Sequence, residues 1–291
     1  MTLCIAALSS KSCVVCADRR ITSGKRTENE EHDKTIVVFA DDGKAVATFS
    51  GLAQIRHRFD THKWLLATIE TLGVSGVPQY TLAGVINGLN AALTHEFQTN
   101  PDIQKLPRAS RRLSVMMAGY VFQNGRGVPL IASTSNFERP VDRIVLPEAE
   151  DAFTLQHGII QGEASIVGFV GNGAALWPGQ LKKITEASLR ASPKAMARAL
   201  LDQIRRASDD KRSLDLIGKQ VTSVHISPDP SHGVITDYHT AVVRRDVALP
   251  AAAWATRQAP GFVTDIRVGP EDADTPDLAV PQVNKKKRRR R

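Results

Sequence analysis

Leu3-Cys4-Ile5-Ala6-Ala7-Leu8 and Cys13-Val14-Val15-Cys16-Ala17 are apolar runs of strand length, separated only by the polar link Ser9-Ser10-Lys11-Ser12. Two such runs joined by so short a link read as a β-hairpin. Centring its turn near Ser10 sets Cys4 opposite Cys16, Ala6 opposite Val14 and Thr2 opposite Asp18. A slip of one residue would move the partners to opposite faces of the sheet, so everything at this end depends on register. The expected result is a hydroxyl at the start of the chain beside a carboxylate.

The hydropathy pattern repeats this theme further on. Residues 35–40 and 45–50, around Asp41-Asp42-Gly43-Lys44, predict a second hairpin that runs into Gly51. Just past Gly51, the residues Ile55, Phe59, His62, Leu66 and Ile69 keep helical spacing. A second helix is expected from Thr81 as N-cap, with Leu82, Val85, Ile86, Leu89 and Leu93 on one face. Residues 99–112 form an irregular, charged connection. Strands follow at 113–122 and 128–133, and another near 165–170. Helices are expected at 178–190 and 193–208, the latter opened by Ser192 and Pro193. The last strands fall at 221–227 and 233–244. Helices grouped between runs of antiparallel strands imply an α+β protein, two sheets with helices outside, in a four-layer αββα sandwich. This domain covers 2–248. Residues 250–291 hold five of the fifteen prolines and little periodicity, so 249–291 is expected to be a largely disordered extension ending in a basic run.

Charge narrows the function. Of the net +8, all but one unit comes from Lys285-Lys286-Lys287-Arg288-Arg289-Arg290-Arg291. The remaining body is nearly neutral, unlike a domain that binds nucleic acid through a basic folded face. The tail has three open readings: a solvated tail, an electrostatic arm for a polyanion, or a docking peptide. Three cysteines, Cys4, Cys13 and Cys16, cannot all pair, which excludes a disulfide framework and favours a reducing compartment. No apolar stretch is long enough to span a bilayer, and the apolar start lacks a positive charge before it. A cytoplasmic location is expected, with no membrane contact. Cys13 and Cys16 have redox-motif spacing, but i and i+3 on a strand face opposite ways. The eight histidines are scattered, and Gly168-Phe169-Val170-Gly171-Asn172-Gly173 fails the dinucleotide spacing. No metal and no cofactor is expected.

The candidate chemistry lies at the start. Removal of Met1 would leave Thr2 with a free α-amine and a β-hydroxyl on one residue, a nucleophile with its own general base. An α-amine titrates at about 7.7–8.0, so its neutral form is accessible near neutral pH. Asp18, Arg20, Thr22 and Lys34 follow Thr2 by 16, 18, 20 and 32 residues. This spacing, with Ala17-Asp18-Arg19-Arg20-Ile21-Thr22-Ser23-Gly24, Asp33-Lys34, Phe49-Ser50-Gly51-Leu52-Ala53 and Val170-Gly171-Asn172-Gly173-Ala174-Ala175-Leu176, resembles the proteasome β-subunit and related bacterial ring proteases. These belong to the N-terminal-nucleophile (Ntn) hydrolases. Met1-Thr2-Leu3-Cys4-Ile5-Ala6 is most similar to the Anbu-type bacterial homologues. The resemblance spans about 2–240 and is densest in the first 55 residues.

The resemblance implies a role for each matched position. Thr2 attacks a substrate carbonyl. Lys34 lowers the pKa of hydroxyl and amine, and Asp18 holds Lys34 charged and oriented. The Gly51 N–H supplies an oxyanion hole. Thr22, with Arg20 nearby, binds substrate backbone by strand addition. Phe49 shapes an apolar pocket for the residue before the cleaved bond. Asn172 stands where the family has Ser in a Gly-Ser-Gly turn, and it lacks a hydroxyl for proton transfer. Ser213 and Asp215, within Ser213-Leu214-Asp215-Leu216-Ile217-Gly218, are the expected supports of the amine. The implied function is a threonine peptidase in a homo-oligomeric ring or related assembly acting on peptide or protein substrates, with an ATPase unfoldase as a possible partner. The alternatives are an Ntn amidohydrolase acting on a small amide, or a non-catalytic proteasome-like scaffold with a polyanion-binding tail.

Overall fold

In the computed structural model, residues 2–23, 26–74, 81–139, 144–159, 164–171, 183–186, 192–239, 251–255 and 264–269 are described. In chain order the elements are β1 (Leu3–Ser9), β2 (Cys13–Asp18), β3 (Ile21–Ser23), β4 (Arg26–Asn29), β5 (Thr35–Ala40), β6 (Gly43–Gly51), β7 (Gln54–Ile55) and β8 (Phe59–Asp60). Helices α1 (Thr61–Val74), α2 (Leu82–Thr99) and α3 (Pro101–Gln104) follow. Then come β9 (Leu113–Gln123), β10 (Arg126–Ser135), β11 (Glu138–Arg139), β12 (Ile144–Val145), β13 (Thr154–Ile159), β14 (Ser165–Gly171) and helix α4 (Pro193–Asp209). β15 (Val221–Ile226), β16 (Val234–His239), β17 (Ala251–Ala255) and β18 (Thr264–Gly269) close the order. The fold is mixed α and β, dominated by strands, and among the described residues no helix is long and apolar enough to cross a membrane.

Two six-stranded sheets organise these elements, ordered β14-β1-β2-β15-β16-β18 and β13-β10-β9-β6-β5-β17. β1 and β2 are buried at every position, which explains why they are apolar throughout rather than alternating. Cys4, Ala6, Leu8, Val15 and Ala17 of the first sheet meet Val37, Phe39, Val46, Met116 and Tyr120 of the second in one apolar cluster. The opposite face of the first sheet, with Leu3, Ile5, Val14 and Cys16, packs on Met196, Leu200, Leu201 and Ile204 of α4. The opposite face of the second, with Ile36, Val38, Ala47 and Phe49, packs on Leu65 and Ile69 of α1 and Leu82, Leu89 and Leu93 of α2. The period-2 pattern of each strand thus supplies two different cores.

Local signals set most element ends. Thr81 Oγ1 accepts from Gly84 N–H (3.1 Å) and Ser192 Oγ from Ala195 N–H (3.3 Å), as N-caps do. Asn124 (φ 51°) and Gly125 (φ 74°) close the β9–β10 hairpin with the two left-handed residues of a type I′ turn.

Three expectations change. The β1–β2 register pairs Ile5 with Cys16 and Ala7 with Val14, one residue away from a turn centred on Ser10. The turn is Ser10-Lys11, because Ser9 Oγ accepts from both Lys11 N–H (3.2 Å) and Ser12 N–H (3.3 Å) and Ser9 N–H donates to Ser12 O (2.9 Å). The first helix starts at Thr61 rather than just past Gly51. His57 turns the chain at φ 59°, β7 pairs with β8, and Asp60 Oδ1 then accepts from Lys63 N–H (3.0 Å). Lastly, the stretch from 249 onward contributes two strands, β17 pairing parallel to β5 and β18 parallel to β16. An alanine-rich run such as Ala251–Ala255 has weak strand preference of its own; an open sheet edge supplies its backbone partners. Residues 270–291, including Lys285–Arg291, lie outside the described residues, as does most of the expected helix at 178–190.

Candidate functional site

The site gathers where β1 begins, β2 ends, β5 begins and β6 ends. Continuing the observed register brings Leu3, rather than Thr2, opposite Asp18, and Leu3 N–H donates to Asp18 Oδ1 (2.8 Å). Thr2 is therefore held one residue further out and still beside Asp18. It is 5% exposed.

Lys34 Nζ, just before β5, donates to Thr2 Oγ1 (2.6 Å), to Asp18 Oδ2 (3.4 Å) and to the Arg20 carbonyl. Those contacts account for all three donors of an ammonium group. Because Thr2 Oγ1 accepts from Lys34, the hydroxyl proton must point elsewhere. In a chain without Met1 the nearest base along the same residue is its own amine. Asp18 is equally saturated: Oδ2 also accepts from Arg20 N–H (3.1 Å) and Gly218 N–H (3.0 Å). Both side chains of the Lys34–Asp18 pair are fully buried. Such pairs seldom stabilise a fold better than apolar residues of the same size would, so packing alone does not account for this one.

Two glycines face the same end. Gly51, at the end of β6, has φ 113°, and a Cβ there would lie 2.0 Å from Arg112 O. Leu113, opposite Gly51, is engaged with the Asn136 side chain and backbone (2.9 and 3.2 Å). Gly171, at the end of β14, has φ 102°, and a Cβ there would lie 1.8 Å from Thr2 O. Ser50 Oγ donates to that same Thr2 carbonyl (3.2 Å) from the other sheet.

The remaining expected residues divide. Arg20 braces the site rather than facing outward, since its Nη1 donates to Asp215 O (2.7 Å) and its Nε pairs with Glu30 (2.9 Å). Thr22 lies in β3, opposite Thr27 of β4. Phe49 is 1% exposed and belongs to the core beneath α1 and α2, so it backs the site instead of lining an open pocket. Ser213 is buried and donates to Ser208 O (3.3 Å), away from Thr2. Asp215 has an exposed side chain and contributes its carbonyl, with Leu214 and Asp215 both left-handed (φ 52° and 58°). Neither Ser213 nor Asp215 contacts Thr2. Asn172 lies outside the described residues.

Residues whose spacing assigns them no role complete the picture. Gly218 N–H is one of the donors that hold Asp18. His32 stands edge-on to Phe49 (6.4 Å) and to His62 (6.0 Å). Burial pushes its imidazole down to about 4, so it is neutral near pH 7. Glu138 is buried and accepts from Gly171 N–H (3.3 Å). Among the described residues, no group of three or more His, Cys, Asp or Glu is placed to hold a metal ion. No protein-family model matches the chain, and no curated protein matches it.

Proposed function

We propose that the chain is a threonine-type Ntn hydrolase that cleaves peptide bonds with Thr2 after removal of Met1, within a proteasome-like four-layer αββα sandwich. The reading rests on one observation: Lys34 Nζ is 2.6 Å from Thr2 Oγ1 while fixed in a buried pair with Asp18. The three apolar clusters support the layer order of helices, sheet, sheet and helix.

In this mechanism the Thr2 amine takes the hydroxyl proton as Oγ1 attacks the carbonyl carbon, and Lys34 stabilises the developing alkoxide. The carbonyl oxygen becomes an anion that the Gly51 N–H would bind. The amine hands its proton to the leaving nitrogen, leaving an ester on Thr2 that water then hydrolyses. A non-catalytic scaffold would not require a buried Lys34–Asp18 pair aimed at a hydroxyl.

The test is cleavage of a panel of unstructured peptides and of small amides by the wild-type chain and by Thr2→Ala. The expected result is peptide cleavage that Thr2→Ala abolishes. Cleavage of small amides alone would replace the peptidase reading with an amidohydrolase, and equal rates for both proteins would overturn Thr2 as nucleophile.

A further inference from the structure

A buried polar chain that the mechanism above does not use reaches the Thr2 main chain through Gly171. Glu138, just past β10, lies 8% exposed between the ends of the two sheets. Its Oε1 accepts from Gly171 N–H (3.3 Å) and its Oε2 from Ser114 Oγ (2.7 Å). Ser114 Oγ is 2.6 Å from Ser135 Oγ, which accepts from Phe137 N–H (3.2 Å) and Glu138 N–H (2.8 Å).

Counting protons fixes the direction of this chain. Ser135 Oγ uses both lone pairs on backbone donors, so its own proton goes to Ser114. Ser114 must then give its proton to Glu138. Both contacts use Glu138 as an acceptor, which an ionised carboxylate meets in full, whereas a protonated one would add an O–H donor that neither contact accepts in these directions. We propose that Glu138 is a positioning residue for Thr2: its carboxylate fixes Gly171, whose backbone lies against the Thr2 carbonyl, and so sets where the nucleophile stands.

The inference rests on the hydrolase reading. Burial raises the Glu138 pKa above its ordinary range, so its ionised form costs the fold stability instead of adding to it. A carboxylate kept in such a place is explained better by the site it serves than by packing. Few charges face it. Arg112, whose guanidinium lies over the Phe137 ring, favours the ionised form. Cys4, within electrostatic reach on β1, is held as the neutral thiol by burial. Arg139 turns away to Glu150 (2.7 Å).

Glu138→Gln tests this, because glutamine reproduces the protonated acid. Whichever way it is turned, an N–H donor faces Gly171 N–H or Ser114 O–H. The expected result is a kcat for peptide cleavage about tenfold lower, the loss of one hydrogen bond, with KM little changed and a melting temperature within a few degrees of the wild type. On the acid side, the wild-type rate falls with the uptake of two protons, by the Thr2 amine and Glu138, while the variant falls with one. Glu138→Asp, which keeps the charge, restores part of kcat.

Amide exchange at Gly171 gives a readout independent of activity. Protection in the wild type, reduced in the variant, is expected. If the wild-type chain cleaves nothing, the hydrolase reading fails, and the exchange result still decides whether Glu138 holds Gly171. Wild-type kcat with an unchanged acid limb in Glu138→Gln, or unchanged Gly171 exchange, would overturn the proposal.

Discussion

Lys34 has three donors and three oxygens around it, with no contact to water at its side chain. Removing it therefore bears on the fold as well as on the proposed reaction. Lys34→Met would leave the Asp18 carboxylate buried and unpaired, held only by the N–H groups of Leu3, Arg20 and Gly218. Urea denaturation should show a loss of about 3 kcal/mol, the cost of breaking a buried pair from one side, together with loss of peptide cleavage. An unchanged stability would mean that water reaches Asp18 in the native protein. The residues legible in the sequence are those whose partners are near in the chain or whose spacing matches a known pattern: Thr2, Asp18, Lys34 and Gly51. Glu138 carries no motif, and Gly218, at the end of the Ser213–Gly218 segment, carries no sign of its own role, since their contacts to Gly171 and Asp18 span 33 and 200 positions. Ser213 and Asp215 have side chains of the expected type, whereas their loop offers Arg20 a carbonyl, which any residue carries.

Backbone conformation makes equivalent demands at the level of strands and turns. Gly125 and Gly171 both have positive φ, but a Cβ at Gly125 meets nothing within 4 Å, whereas one at Gly171 would sit 1.8 Å from the Thr2 carbonyl. Gly125→Ala should cost about 1 kcal/mol, the left-handed penalty alone. Gly171→Ala should displace Thr2 and abolish peptide cleavage, a contrast readable in paired melting and activity assays. Equal effects from the two substitutions would show that β14 does not bear on Thr2. Strands buried on both faces, such as β1 and β2, announce themselves as apolar runs, and α2 and α4 by cap and period. Register did not follow from composition, because it turns on which serine accepts the turn's N–H groups. The edge strand β13, exposed or half-buried along its length, gives no apolar signal, and β17 exists through its partner β5.

Across the whole molecule, the core makes alkaline stability a property of its thiols. Burial pushes Cys4 up to about 12 from 9.0, and Cys13 and Cys16 higher still. Above pH 9 the unfolded chain has released protons that the native state retains, so unfolding free energy falls as pH rises. Tyr120 and Tyr238, also raised by burial, act with the same sign above pH 10. Lys44, lowered to about 8 from 10.5, acts against them between those values but is one group against three thiols. Denaturation between pH 9 and 10.5 should show the decline, and Cys16→Ala should lessen it; a flat wild-type profile would mean that water reaches the buried thiols. The central proposal concerns the terminus that this two-sheet body holds beside Lys34 and Asp18. Incubating the purified chain with a peptide epoxyketone and measuring intact mass reads that terminus directly, because the warhead requires a hydroxyl and an α-amine on one residue. The account predicts a chain lacking Met1 that gains one stable adduct, lost in Thr2→Ala; a chain that keeps Met1 and gains none would contradict it.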